Sequence, residues 1–170
     1  MAKFSTWLYE KLYKKKAPEY VANYTLGHLV MKPIKKWLTN VVAPNCPFNK
    51  MRVGIYRMCG FKIGKNVAIG MRCYLDDHCI EMLQIGDFAV ISYGTYFACH
   101  GAKQSHTPIV IKDGAYIGMR ASIVSGKNGV TIGEKAVVGA CSLVLQDVPA
   151  GATVAGVPCR ILSQAGEQNC

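Results

Sequence analysis

Acidic residues are scarce at one end of this 170-residue chain. Residues 1–72 contain two, Glu10 and Glu19, against 14 Lys and Arg; residues 73–170 hold eight against six. The net charge of +10 therefore belongs to the N-terminal part. A basic surface of this kind can attract nucleic acid, anionic lipid or an anionic substrate, but no nucleic-acid-binding motif accompanies it, so no nucleic-acid partner is expected. Long apolar runs are missing as well, which argues against a membrane span. The basic start also lacks the short apolar block and small-residue cleavage site of a secretory signal, and the cytoplasm is the expected location. Eight cysteines are present, yet no two form a C-x-x-C pair. They read as reduced, buried thiols that act as small hydrophobes in a reducing compartment.

An aliphatic residue every sixth position, usually followed by glycine, runs from Ile63 to Val148. Ile63-Gly64, Ile69-Gly70 and Leu75 keep the step, as do Ile85-Gly86, Ile91 and Phe97, then Ile111, Ile117-Gly118 and Ile123, then Ile132-Gly133, Val138-Gly139 and Val144. A period of six fits neither a helix nor a long alternating strand, so the chain must turn a corner within each repeat. The aliphatic residue points into a prism, and the residue four places later, such as Val67, Cys73, Ala89, Ala115 or Ser142, is small enough to share the interior. Glycine after the aliphatic residue relieves crowding at or near the corner. Three faces of six make a coil of about 18 residues, and the repeat region gives about five stacked coils. The fold class is mainly β: a parallel β-solenoid preceded by an α-helical segment.

Residues 1–60 form a basic N-terminal helical segment, 61–162 the repeat domain and 163–170 a tail. Trp7, Leu8, Leu12 and Tyr13 recur at helical spacing beside Lys11, Lys14, Lys15 and Lys16; Val30, Ile34, Trp37, Leu38 and Val41 do so beside Lys32, Lys35 and Lys36. The first helix is expected to end before Pro18 and the second near Pro44 and Pro47. Such helices can pack on the protein body or on a neighbouring subunit, or lie on an anionic membrane surface as a peripheral contact. A third helical piece, Met51 to Cys59, leads through Gly60 into the first repeat.

The six-residue step fails twice, between Leu75 and Ile85 and between Phe97 and Ile111, so segments near 76–83 and 100–108 leave the coil. A smaller insertion at Lys127-Asn128-Gly129 precedes Val130. Loops extruded from a rigid stack are where binding and chemistry concentrate.

The repeats resemble the hexapeptide-repeat acyltransferases over about residues 62–162. Within that superfamily, Ile111-Lys-Asp-Gly-Ala-Tyr-Ile-Gly-Met-Arg-Ala-Ser-Ile, Val130-Thr-Ile-Gly-Glu-Lys-Ala-Val-Val-Gly-Ala, Asp147-Val-Pro and Ala155-Gly-Val-Pro-Cys-Arg160 look like the galactoside and maltose type of sugar O-acetyltransferase. The approach from Arg57 to Gly70 looks more like the polysaccharide-pathway branch. The resemblance implies a left-handed β-helix, a homotrimer with sites between subunits, and acetyl-CoA as co-substrate. It also implies transfer to the hydroxyl of a saccharide or surface-polysaccharide precursor.

An alcohol attacking a thioester needs a base, and histidine is suited to this by its ordinary pKa. The resemblance places the catalytic histidine at His100, after Phe97-Ala-Cys at the start of the second extruded loop. It also implies that Met119, Ala140, Leu145 and Gln146 line the pantetheine arm and that Arg160 approaches the phosphates. Leu145 and Gln146 stand where threonine and lysine are usual in that family, so a compensating cation is expected among Lys112, Arg120, Lys127 and Lys135. Tyr74, Asp76 and Asp77 are expected to contact the acceptor, since carboxylates accept sugar hydroxyl hydrogen bonds and tyrosine packs on a pyranose face. His106 and His78 read as solvated and His28 as structural.

Two competing readings remain. The γ-class carbonic anhydrases share this fold with histidine ligands for zinc, and His78, His100 and His106 form a superficially suitable set. No metal is expected here, because His100 and His106 bracket a loop rather than lie on regular coils. A non-catalytic scaffold, tethered to a membrane by its basic helices, is the other reading.

Overall fold

The computed structural model describes residues 26–100 and 106–164, together with positions 6, 7, 9–11 and 14–16. Leu8, Leu12, Tyr13 and Pro18 of the first expected helix, the side chain of His28, the centre of the 100–108 loop and the end of the tail lie outside the described residues. The chain divides into two compact units, residues 1–37 and 38–170. In the first, helix α1 (Leu26–Trp37) carries Pro33, and its Met31, Ile34 and Trp37 are exposed.

In the second unit successive coils contribute short strands to three stacked sheets, parallel except at the C-terminal end of the second. The first sheet stacks β1 (Lys62–Ile63), β3 (Leu83–Ile85), β6 (Ile109–Ile111) and β9 (Val130–Ile132). The second stacks β2 (Ala68–Ile69), β4 (Val90–Ile91), β7 (Tyr116–Ile117), β10 (Val137–Val138) and β12 (Thr153–Gly156), with β13 (Cys159–Ser163) antiparallel at its end. The third stacks β5 (Tyr96–Ala98), β8 (Ser122–Val124) and β11 (Leu143–Val144), preceded by a bridge from Tyr74 to Tyr96. This makes four complete coils and a partial fifth, fewer than the expected five. The two extruded segments take up residues that an uninterrupted period would have assigned to another turn.

The register puts like on like. Ile85 pairs with Ile111 and Ile111 with Ile132; Ile91, Ile117 and Val138 form a second column, and Phe97, Ile123 and Val144 a third. All are buried, as are the small residues Ala89, Ala115, Ala136 and Ala152 that share the interior. Stacked apolar residues give each coil its partner only in the coils above and below, so stability is a sum of neighbour contacts.

The corners separate two steric demands. The glycine after the aliphatic residue is required by close approach: a Cβ on Gly118 would lie 2.5 Å from the backbone nitrogen of Ala140. The positive φ angles fall elsewhere, at Asn66, Phe88 and Lys135 on one corner and at Arg72, Arg120 and Cys141 on the next.

Helix α2 (Asn49–Cys59) closes the open end of the solenoid. It ends at Gly60, whose φ of +112° reverses the chain into β1. Strand β2 is the terminal strand of its sheet, and its outer edge would leave backbone groups unpaired. Asn49 Nδ2 donates to the Val67 carbonyl and its Oδ1 accepts from the Ile69 amide, while Arg52 Nε donates to the Ile69 carbonyl at 2.6 Å. The Tyr56 hydroxyl donates to the Cys73 carbonyl. Residues 49–59 therefore pack as an end cap of the repeat domain.

Candidate active site

The two breaks in the six-residue period meet in space. Parallel pairing of Tyr74 with Tyr96 sets the segment after Leu75 beside the segment after Phe97. Asp76 is completely buried there. Its Oδ2 accepts from the Cys99 amide at 2.8 Å and lies 2.5 Å from His100 Nδ1; its Oδ1 accepts from the His78 amide at 3.1 Å. A carboxylate offers only acceptors, so Nδ1 carries the proton in this contact, and it is the neutral ring in this tautomer that has its lone pair on Nε2. The His100 side chain is 41% exposed while that of Asp76 is fully covered. A buried carboxylate thus orients a histidine whose side chain is partly exposed, an arrangement suited to removing a proton from a bound hydroxyl.

Asp76 therefore departs from its expected role as an acceptor contact: burial and three internal donors leave it no surface to offer. Asp77, half-buried, accepts from the Tyr74 hydroxyl at 3.1 Å. Tyr74 in turn stacks on Tyr96, with ring centroids 4.5 Å apart and planes 14° from parallel. Burial, then the Asp77 and Asp76 carboxylates, push the Tyr74 hydroxyl above its ordinary pKa, so it stays a hydrogen-bond donor. His78 is exposed, its ring edge-on to that of His100 at 5.7 Å. His106 is exposed and pairs antiparallel with His100 through the backbone, closing the base of the loop; the Thr107 amide donates to the Cys99 carbonyl.

Cys99 alternates with His100 and points into the core, fully buried. Burial, then nearby Asp76, pushes its thiol up to about 12, the opposite of what a nucleophilic cysteine requires. Asp76, Cys79 and His100 bring one ligand atom each within 4.8 Å of one another, a set that excludes His78 and His106. This trio fits a divalent metal poorly. Asp76 is already engaged by three donors, and burial followed by the Asp76 charge pushes the Cys79 thiol up to about 11, where a metal ligand would need the thiolate.

The residues expected along the pantetheine arm fall at two corners. Met119 and Ala140 are exposed and stack on successive coils, with the Cys141 amide donating to the Met119 carbonyl. One position before this column, Ala155 of the next coil crowds Gly139 and pairs with Arg160 on β13. Met119, Ala140 and Arg160 thus share the corner that precedes the third sheet, and the exposed Arg120 is on it too. Leu145 and Gln146, also exposed, leave β11 at its other end, the end from which His100 leaves β5. A separate open groove of about 400 Å³ runs beside the first sheet, lined by Lys62, Gln84, Val110 and Lys112, away from the sheet that carries His100.

No family model matches the sequence. A relative from Bacillus subtilis (strain 168), the putative acetyltransferase YvoF, is 32% identical over 136 residues, covering 78% of this chain and 77% of the relative. The hexapeptide-repeat containing acetyltransferase VCA0836 of Vibrio cholerae superposes with a TM-score of 0.62 at 26% identity, covering 82% of this chain and 93% of that one. The chain belongs to the hexapeptide-repeat acetyltransferase family. Its parallel stacked coils fit the left-handed β-helix of these enzymes. The Vibrio acetyltransferase has also been solved with acetyl-CoA bound, and a maltose O-acetyltransferase from Clostridium difficile 630 shares the fold, with a TM-score of 0.60 at 24% identity over 84% of this chain and 90% of that one. Among curated relatives, a 2,3,4,5-tetrahydropyridine-2,6-dicarboxylate N-acetyltransferase of Staphylococcus aureus (strain Newman) is 46% identical over 63 residues, 37% of this chain; the chain spans a quarter of that protein's length.

Within this hexapeptide-repeat acetyltransferase, the sequence pattern singled out Asp76 but for a different task, and it passed over Tyr96. The signal for both was available in the count: a break after Leu75 and a break after Phe97 stand one coil apart, so residues following them must be neighbours.

Proposed function

We propose that this protein is an acetyl-CoA-dependent O-acetyltransferase acting on a sugar hydroxyl, by direct transfer with His100 as general base and Asp76 as the group that positions it. The observation that carries the reading is the buried Asp76 carboxylate 2.5 Å from His100 Nδ1, which leaves Nε2 to accept the proton. As the acceptor oxygen attacks the thioester carbonyl, its proton passes to Nε2. Backbone donors stabilise the oxyanion. Collapse of the tetrahedral adduct breaks the C–S bond, the imidazolium returns the proton to sulfur, and the products are the O-acetyl ester and free CoA. No enzyme nucleophile is required, in keeping with the buried Cys99 thiol.

Tyr74 and Asp77 serve the acceptor; Met119, Ala140 and Arg160 serve the coenzyme arm, with Leu145 and Gln146 at the corner nearer His100. His100 and the Met119–Arg160 corner leave the third sheet at opposite ends, and a homotrimer in which neighbouring copies bring the two together accounts for this. A saccharide or surface-polysaccharide precursor is favoured by the shared fold with a maltose O-acetyltransferase. Peripheral contact with an anionic membrane is supported by exposed Met31, Ile34 and Trp37 on the lysine-bearing α1; no described helix is long and apolar enough to cross a membrane.

The test is release of free CoA thiol from acetyl-CoA in the presence of a saccharide panel. Saccharide-dependent release that is lost in His100→Ala and kept in Cys99→Ala is the expected result. Full turnover in His100→Ala would overturn the mechanism.

A further inference from the structure

The third sheet carries an outward column that reads Tyr74, Tyr96, Ser122, Leu143 on successive coils. Tyr74 covers one face of the Tyr96 ring. On the other side the next coil presents Ser122, whose side chain ends at its hydroxyl, and only the coil after that presents a large side chain, Leu143. Two coil spacings separate Tyr96 from Leu143, roughly 10 Å at about 4.8 Å per rung. That is the space of one ring-sized guest between an aromatic face and an aliphatic wall, with a hydroxyl at its floor. Tyr96 is 43% exposed, consistent with a ring covered on one side only.

The slot and His100 lie along one line. Tyr96 is exposed and His100 half-buried on the same extended segment, while Phe97, Cys99 and, at 8% exposure, Ala98 are buried between them. Four residues of extended chain set the two about 13 Å apart. A single sugar ring stacked on Tyr96 is too short to present a hydroxyl at His100 Nε2 as well, whereas the next ring of a linked saccharide reaches it.

We propose that the slot between Tyr96 and Leu143 binds a pyranose ring of a disaccharide or longer acceptor, one sugar residue removed from the ring that is acetylated at His100. Tyrosine supplies an apolar face for the ring's C–H groups, and Ser122 a hydroxyl for its edge. The inference rests on the sugar reading above and sharpens it from a sugar to a linked saccharide.

The experiment measures binding by saturation-transfer NMR, without acetyl-CoA, of maltose, lactose, cellobiose and chitobiose and of their monosaccharides to the full chain. Tyr96→Ala removes the platform; Ser122→Tyr extends the ring stack and fills the slot without deleting a core group. At least one disaccharide should bind the wild type tenfold or more tightly than its monosaccharide. Both variants should reduce that disaccharide to the monosaccharide level, while Tyr96→Phe retains it. Equal binding of disaccharides and monosaccharides, undiminished disaccharide binding in both variants, or no saccharide binding at all would overturn the slot. Loss of disaccharide binding in both variants without acetyl transfer to any saccharide would overturn the O-acetyl reading and leave the slot standing. Transfer with an unchanged disaccharide KM in both variants would do the reverse.

Discussion

Asp76 Oδ2 lies 2.5 Å from His100 Nδ1 across 24 residues of sequence, with the carboxylate wholly buried and the imidazole at the surface. The pair exists because two interruptions of the repeat fall one coil apart, and the same oxygen accepts the Cys99 amide, which locks the backbone under the imidazole. Asp76→Asn keeps the shape but removes the charge and offers an amide N–H that can present the wrong partner to Nδ1. General acid–base positioning is worth about 10²- to 10⁴-fold. Asp76→Asn should therefore lower kcat by about 10²-fold with little change in the KM for acetyl-CoA, and His100→Ala should lower it at least as far. Steady-state kinetics on the two variants, with a thermal melt to establish folding, checks this; a large KM effect with kcat unchanged would remove Asp76 from the chemistry.

Buried thiols set the alkaline limit. Cys99 is pushed up to about 12 and Cys79 to about 11 from an ordinary 9.0, in both cases chiefly by burial. The folded protein therefore holds these protons at pH values where the unfolded chain has released them. The contribution of these thiols to stability is fully present below about pH 9 and is lost as pH rises toward 11 and 12, since the native state binds more protons over that window. The melting temperature should decline above pH 9, less steeply in Cys99→Ala once its lower starting stability is subtracted. At pH 8, iodoacetamide should modify exposed Cys141 while Cys79 and Cys99 stay protected until denaturant is added, read by peptide mass spectrometry.

Most of the solenoid was legible because it is written in a period: Ile91, Ile117 and Val138 sit six-residue steps from their neighbours and end up paired rung on rung. His100 was legible as a histidine at a break in that period. The burial of Asp76 was not, because adjacent acids on an extruded segment look like solvated loop residues, and only the pairing of Tyr74 with Tyr96 reveals that one of them turns inward. The coil count suffered for a related reason. Extruded residues are counted as repeats when length is divided by eighteen. Nor could spacing tell that Met119 and Leu145 lie at different corners, since both follow an aliphatic repeat residue.

The buried arginine of α2 tests the end cap. Arg52 is 5% exposed, donates to the Ile69 carbonyl through Nε, and reaches the Cys46 carbonyl through its terminal nitrogen. Replacement by alanine leaves a cavity and at least one unpaired edge carbonyl on β2. Each such loss costs about 1–3 kcal/mol, so Arg52→Ala should destabilise the protein by about 3 kcal/mol in denaturant unfolding. Arg52→Lys, which keeps charge but not the two-pronged reach, should recover only part.

Two glycines that look alike in composition should behave oppositely. Gly118 lies where a Cβ would sit 2.5 Å from the Ala140 nitrogen and 2.6 Å from the Gly139 carbonyl carbon, both backbone atoms that cannot swing aside. Gly118→Ala forces the coils apart at the Met119–Ala140 corner, and overpacking of this kind costs about 1–3 kcal/mol. Because that corner is also assigned to the coenzyme arm, the same change should raise the KM for acetyl-CoA. Gly54 sits inside α2 with nothing within 4 Å of its hypothetical Cβ. Alanine there removes unfolded-chain freedom and favours the helix, worth about 0.5–1 kcal/mol in the stabilising direction. Paired melts of Gly118→Ala and Gly54→Ala, with acetyl-CoA kinetics on both, separate the steric argument from a general intolerance of glycine replacement; a destabilised Gly54→Ala would show that α2 is held against the first coil more tightly than its open flank implies.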